Sequence, residues 1–227
     1  MPVHYSAARG HAQIVDMFPS NINAQDHSGW TPLHMAALAE ERSIIRKLYR
    51  LSANGEVKDE EGRTPLVLAC SEGKWEAVGE LVSAGAKVDE RDLKRRTVFH
   101  YMATRGASSD LISTIVKGLD GTDIRCLINS QDQRGLAPLH LAVEAGNLDT
   151  VNGLVQAGAD VDVTDAEGGT PLLHGLQEAK TKDDAIGITR ALARDSNCFE
   201  FESAEGKRVI KVARERGYGS VLEYFEA

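Results

Sequence analysis

Little in this chain points to reaction chemistry. Three cysteines, Cys70, Cys126 and Cys198, are too few and too scattered for a disulfide framework. They read as reduced thiols of a cytosolic or nuclear protein, with Cys70 at an alanine-like helix position and inert. Aromatic residues make up only 5% of the 227 residues, so a core has to be assembled in thin layers from Leu, Ile, Val and Ala. No apolar run is long enough for a membrane span. The N-terminus lacks the charged start and apolar stretch of a signal peptide. There is no HExxH, no CxxC pair, no Cys/His set with zinc spacing, no glycine-rich phosphate loop and no Gly-x-Ser-x-Gly elbow. Carboxylates are numerous, but acid–base catalysis needs two of them held in one pocket with shifted pKa values, and nothing in the pattern holds them so. A net charge of −8 argues against nucleic acid as the main ligand.

What is present is a repeat. Thr31-Pro32-Leu33-His34 recurs as Thr64-Pro65-Leu66-Val67, Thr97-Val98-Phe99-His100, Ala137-Pro138-Leu139-His140 and Thr170-Pro171-Leu172-Leu173. The first residues are 33 apart from 31 to 64, from 64 to 97 and from 137 to 170, and 40 apart from 97 to 137. Each copy follows a tip with Asp first and Gly last: Asp26-His27-Ser28-Gly29, Asp59-Glu60-Glu61-Gly62, Asp132-Gln133-Arg134-Gly135 and Asp165-Ala166-Glu167-Gly168. Asp bonds its own nearby backbone and Gly accepts positive φ, which suits a tight turn. Thr then starts a helix, with Pro at a position that needs no N–H. Gly73, Gly106 and Gly146 end that first helix. A second helix follows with apolar spacing of three to four, as in Ile44, Ile45 and Leu48 or Val151, Leu154 and Val155. Gly85-Ala86 and Gly158-Ala159 close it. No unit can bury its apolar face alone, so stacking must do it.

On these residues the chain resembles the ankyrin-repeat family over nearly its whole length. The resemblance implies an all-α solenoid of stacked helix–turn–helix units with β-hairpin or turn tips, forming one continuous domain over 1–227. The expected units are 1–24, 25–57, 58–90, 91–130, 131–163, 164–201 and 202–227, the first and last incomplete or degenerate. His4, Ala7 and Gly10 match the start of a headless first unit, and the chain either begins there or is a piece of something longer. Lys207, Lys211, Arg214, Glu215 and Arg216 make the last unit polar, as a solvent-facing cap requires. The family's histidine position, here His34, His100 and His140, is structural, its imidazole bonding backbone near the neighbouring tip.

Two intervals exceed the period. Extra residues are expected around Leu119-Asp120-Gly121-Thr122-Asp123, after a second helix, and around Lys180-Thr181-Lys182-Asp183-Asp184, between two helices. Each is either a tolerated insertion or a partner contact. The Thr97 unit also breaks the tip pattern: Arg95 stands where Gly is expected, which implies a strained or altered turn. Asn23 and Asn129 fall at a hairpin-entry position that is hydroxylated in some members of the family; turn geometry alone also favours Asn there.

The resemblance further implies a non-catalytic module without a cofactor that binds a protein or peptide along a concave face built from tips and first helices. The candidate contact residues are His27, Trp30 and Leu38; Glu60, Glu61, Arg63 and Glu72; Arg91, Leu93, Lys94, Arg96 and Arg105; and Gln133, Arg134 and Leu136. Trp30 is read at an outward position, as either a binding anchor or a ring packed on its own tip. Trp75 is expected in the core. An acidic tip beside a basic one suggests a peptide with acidic residues next to an apolar group, the apolar group meeting Trp30 or Leu93. The roles in view are adaptor, scaffold or inhibitor in the cytoplasm or nucleus. The alternatives are a recognition domain of a larger enzyme or channel, a stand-alone assembly chaperone or transcription-factor inhibitor, and a basic patch for anionic lipid or nucleic acid.

Overall fold

The computed structural model describes residues 1–119, 123–193 and 204–226. Among them every regular element is helical and no strand occurs. Two compact units are resolved, Met1–Arg105 with Lys117–Asp120, and Gly106–Val116 with Gly121–Ala227. None of the described helices is long and apolar enough to cross a membrane.

In the first unit α1 (Pro2–Ala8), α3 (Pro32–Leu38), α5 (Pro65–Ser71) and α7 (Val98–Arg105) are first helices, each packed on the next. The second helices α2 (Ala12–Asp16), α4 (Arg42–Arg50) and α6 (Trp75–Ser83) form the other layer in the same order. The starts are those the motif encodes. The Thr31 and Thr64 hydroxyls accept the N–H groups of His34 and Val67, with Pro32 and Pro65 in the first turn. Such a cap contributes about 1 kcal/mol. The first helices end at Gly10, Gly73 and Gly106, all at positive φ; in the Thr31 repeat Glu40 takes that conformation instead, at φ 57. Leu33, Ile44, Ile45, Leu48, Leu66, Leu81 and Phe99 are sealed between layers. Each such side chain contributes roughly 1.5–3 kcal/mol of burial.

The second unit repeats the plan with α8 (Ser109–Lys117), α10 (Pro138–Glu144), α11 (Leu148–Gln156), α12 (Pro171–Glu178), α13 (Lys182–Leu192), α14 (Ala204–Arg216) and α15 (Gly219–Glu226). First helices α10, α12 and α14 stack in order, as do second helices α11, α13 and α15.

The long intervals are partly other than expected. The first holds a short helix, α9 (Ile124–Ile128), started by Asp123, whose carboxylate accepts the Cys126 N–H. Asp120, Gly121 and Thr122 lie outside the described residues. The second does not add a loop at Lys180–Asp184. The Thr181 hydroxyl and the Asp184 carboxylate cap each other's backbone N–H groups, so Lys182 and Asp183 are already helix. Part of the added length is carried by α13, with 11 residues against 9 in α4, α6, α8 and α11; residues 194–203 lie outside the described residues. Cys198 lies outside the described residues. Trp75, expected in the core, is only half-buried.

A nearly buried ion-pair clamp joins the second helices α4 and α6. Glu80 of α6, with a side chain only 6% exposed, receives Arg46 Nε at 2.5 Å and Arg46 Nη2 at 2.7 Å. Arg42 Nε approaches the same carboxylate at 3.4 Å. The Arg46 hydrogen bonds hold the Glu80 carboxyl below the usual carboxylate range.

Candidate partner-binding site

Five tips among the described residues are locked by their aspartates. Asp26, Asp59, Asp92, Asp132 and Asp165 each accept two backbone N–H groups on one carboxylate oxygen, from the residues two and four positions on. The Asp N–H donates in turn to the carbonyl four residues on, at 2.9–3.1 Å. The turn needs a left-handed residue, which is Gly29, Gly62, Gly135 or Gly168 in four tips and Arg95, at φ 63, in the third. The altered third tip is thus the same turn with a strained residue in it.

Adjacent tips are tied together. In the first unit Glu60 N–H donates to Ser28 O and Leu93 N–H to Glu61 O. Gln25 Nε2 reaches Lys58 O at 2.9 Å, and Lys58 Nζ reaches Arg91 O at 3.0 Å. In the second unit Gln131 Nε2 donates to Thr164 O. The asparagines serve the same end: Asn23 Oδ1 accepts Asn54 N–H and Asn129 Oδ1 accepts Asp160 N–H. Side chains on the tips are therefore carried by fixed backbone.

The histidines do the structural work expected of them. His34 Nε2 meets Arg63 O at 3.1 Å and Nδ1 accepts the Thr31 N–H. His140 Nε2 meets Gly169 O while Nδ1 accepts the Ala137 N–H. A carbonyl needs a donor, so the proton sits on Nε2 in both. Burial pushes both imidazoles below their usual pKa, which keeps them neutral.

The structure places the candidate residues unevenly. His27, Glu60, Glu61, Glu72, Leu93, Lys94, Arg105, Gln133 and Arg134 are exposed. Leu38, Arg91 and Arg96 are half-buried. Arg63 is half-buried and folded onto its own tip, bonded to Asp59 and Glu61. Leu136 is a correction: at 1% exposure it is core and cannot meet a partner. Trp30, Arg63 and Arg96 hold the equivalent place before their motifs and are also partly covered, so that place does not point outward. An apolar Leu there turns fully in. Trp30 is likewise a partly covered ring, and its indole N–H is buried without a hydrogen-bond partner. The first unit thus brings the second and third tips side by side, with Leu93 as the protruding apolar residue at 66% exposure.

A family model described as ankyrin repeats in three copies matches residues 3–92, 76–165 and 99–198. The chain belongs to the ankyrin-repeat family. This ankyrin chain is 29% identical over 167 residues to the transient receptor potential cation channel subfamily A member 1 of Drosophila melanogaster, covering 70% of this chain and 14% of that one. It is 29% identical over 214 residues to the nuclear factor NF-kappa-B p105 subunit of Gallus gallus, covering 88% and 21%. Among solved structures it is similar to the ankyrin repeat domain of Bcl-3, a member of the IkappaB protein family, with TM-score 0.74, 22% identity and coverage of 94% and 98%. It is also similar to a chain in the complex of a predatory endopeptidase from Bdellovibrio bacteriovorus with an immunity protein, with TM-score 0.70, 25% identity and coverage of 84% and 97%. The chain therefore spans 14% and 21% of the length of these two curated relatives.

One feature of the ankyrin chain is not singled out by the repeat pattern. Four residues into their motifs stand Tyr101 and His174, and each bonds the free oxygen of its own tip aspartate. Tyr101 Oη donates to Asp92 Oδ2 at 2.5 Å, and Arg96 lies 5.9 Å over its ring. His174 Nε2 is 2.8 Å from Asp165 Oδ2 and its Nδ1 is 2.7 Å from Glu144 Oε1. Two carboxylates facing both ring nitrogens favour the doubly protonated imidazolium. The Glu144 hydrogen bond raises its pKa against the opposing effect of burial, and Asp165 adds to the rise. Arg95, which the broken tip pattern already marks, sets an exposed cation in a glycine position through its left-handed backbone.

Proposed function

We propose that this ankyrin chain is a non-catalytic adaptor, scaffold or inhibitor that binds a protein segment or surface along the concave face formed by its tips and first helices. Ankyrin repeats are protein–protein interaction modules, and the observation that carries the reading is the tip lattice. Asp-locked turns, bonded from layer to layer, hold exposed side chains on backbone that is already ordered. A preformed surface lowers the ordering cost of association. The proposed contacts in the first unit are His27, Leu38, Glu60, Glu61, Glu72, Arg91, Leu93, Lys94, Arg96 and Arg105, with Trp30 at their edge; Gln133 and Arg134 are the proposed contacts of the second unit. Binding in the cytoplasm or nucleus is part of the same proposal.

The test is affinity capture from the source cell with the natural chain and with Lys94→Glu plus Arg96→Glu. The expected result is at least tenfold weaker retention of the captured protein by the variant, with unchanged helical circular dichroism. Equal retention removes this patch from the account. A second reading, the recognition part of a larger polypeptide, is favoured by the small share of the curated relatives that the chain spans.

A further inference from the structure

The second repeat carries Glu61 and Glu72 where the third carries Lys94 and Arg105, and the third tip adds the cation Arg95 where the second has Gly62. Glu61 and Lys94 are 33 residues apart, as are Gly62 and Arg95, and Glu72 and Arg105. At the third tip the aspartate is already used: Asp92 accepts Lys94 N–H and Arg96 N–H on Oδ1 and the Tyr101 hydroxyl on Oδ2. Lys94, Arg95 and Arg105 are exposed and Arg91 half-exposed, and none of these four side chains has an acidic partner among the described residues. Between these cations Leu93 stands 66% exposed, although its backbone is tied to the second tip. On the second tip Glu60 is exposed and has no basic partner among the described residues.

We propose that these two tips form one directional docking site for an extended protein segment. An acidic pair of the partner sits against Lys94 and Arg95, an apolar side chain covers Leu93, and a basic residue meets Glu60. This deepens the concave-face reading and rests on it. Stacked helices lie about 8–10 Å apart and an extended chain advances about 3.3 Å per residue. Glu60 and Leu93 are equivalent positions one layer apart, so the basic residue is about three positions from the apolar one, with the acidic pair following it. A long polyanion fits less well, because it would run from the cationic tip onto Glu60 and Glu61. It would also leave Leu93 in water.

The experiment uses the full chain and fluorescein-labelled peptides of about a dozen residues, read by anisotropy at low and physiological salt. One peptide carries Lys-Ser-Ser-Leu-Glu-Glu in a neutral Gly/Ser frame. A second has every charge inverted, and a third replaces Leu with Ser. The first should bind at least tenfold more tightly than either of the others. Lys94→Glu plus Arg95→Glu should weaken it at least tenfold. Adding Glu60→Lys to that pair should transfer preference to the inverted peptide. If that triple variant does not keep native circular dichroism, Arg95→Ala alone is read for a threefold or greater loss. Equal binding of the first two peptides overturns the proposal, as does no detectable binding of any peptide. So does tighter binding of a single-stranded oligonucleotide or an anionic vesicle that is indifferent to Leu93→Ser. A captured protein that still cross-links to the tips while no peptide binds overturns this directional site and leaves the broader binding reading in place.

Discussion

Replacing Arg95 with glycine should stabilise the fold while weakening the surface it serves. Gly29, Gly62, Gly135 and Gly168 hold φ of 76, 75, 77 and 75 in their tips, and Arg95 holds 63 in the equivalent place. A left-handed backbone costs an L residue about 1–2 kcal/mol. Glycine loses more freedom on folding, which returns about 0.5–1 kcal/mol of that. The net gain for Arg95→Gly is about 0.5–1 kcal/mol, or a Tm rise of about 2–4 °C per kcal/mol for a chain of this size. Arg95→Ala keeps the strain and removes only the cation, so its stability should stay within about 0.5 kcal/mol of the natural chain. Gly62→Ala supplies the opposite control. Its added Cβ would lie 3.0 Å from Leu93 N and 3.1 Å from Leu93 Cγ, so it should destabilise by about 1–3 kcal/mol. The assay is urea denaturation followed by circular dichroism, with midpoints compared at equal m. A lower midpoint for Arg95→Gly, or the same midpoint for Arg95→Gly and Arg95→Ala with both raised, would refute the strain argument.

Three further outcomes are expected. Glu80→Gln should destabilise by about 1–3 kcal/mol in urea, because Arg46 and Arg42 lose a nearly buried carboxylate. Since the folded Glu80 pKa is depressed, its contribution is present above the unfolded carboxyl value and lost as pH falls through the folded one, so the gap between variant and natural chain should close in acid. His174 has the opposite sign: its folded pKa is raised, so the stability it confers is full below the unfolded imidazole value and fades as pH rises through the folded one. His174→Gln should therefore lower the melting temperature most in mildly acidic buffer and least in alkaline buffer; a constant difference across that range contradicts the imidazolium bridge. Trp30→Phe removes a buried indole N–H that has no partner, and thermal melts should place it within about 1 kcal/mol of the natural chain.

The layer plan was legible because each part of it has a local cause. Thr before Pro caps a helix, Gly ends it, Asp and Gly close a tip, and these recur in step. Even the broken tip could be read, since Arg95 at a glycine place had to be either strained or differently turned. What escaped depends on neighbours in space. Leu136 and Trp30 occupy the same sequence place as Arg63 and Arg96, and only the packing around them decides how far each turns inward. His174 looks like one more histidine of a helix start until Glu144 and Asp165, 30 and 9 residues away, are seen on its two nitrogens. The sequence alone puts the second insertion too early, because Thr181 and Asp184 form a capping box that turns polar residues expected to loop into the first turn of α13.

The central claim is that partners lie on the tips and first helices, not on the second helices. A photo-cross-linking residue placed at Leu93, and separately at exposed Arg50 at the end of α4, tests it within the intact chain in its source cell. The account predicts a protein adduct from position 93, lost when Lys94 and Arg95 are reversed to Glu, and none from position 50. An adduct of the same protein from position 50, with position 93 silent, would contradict it.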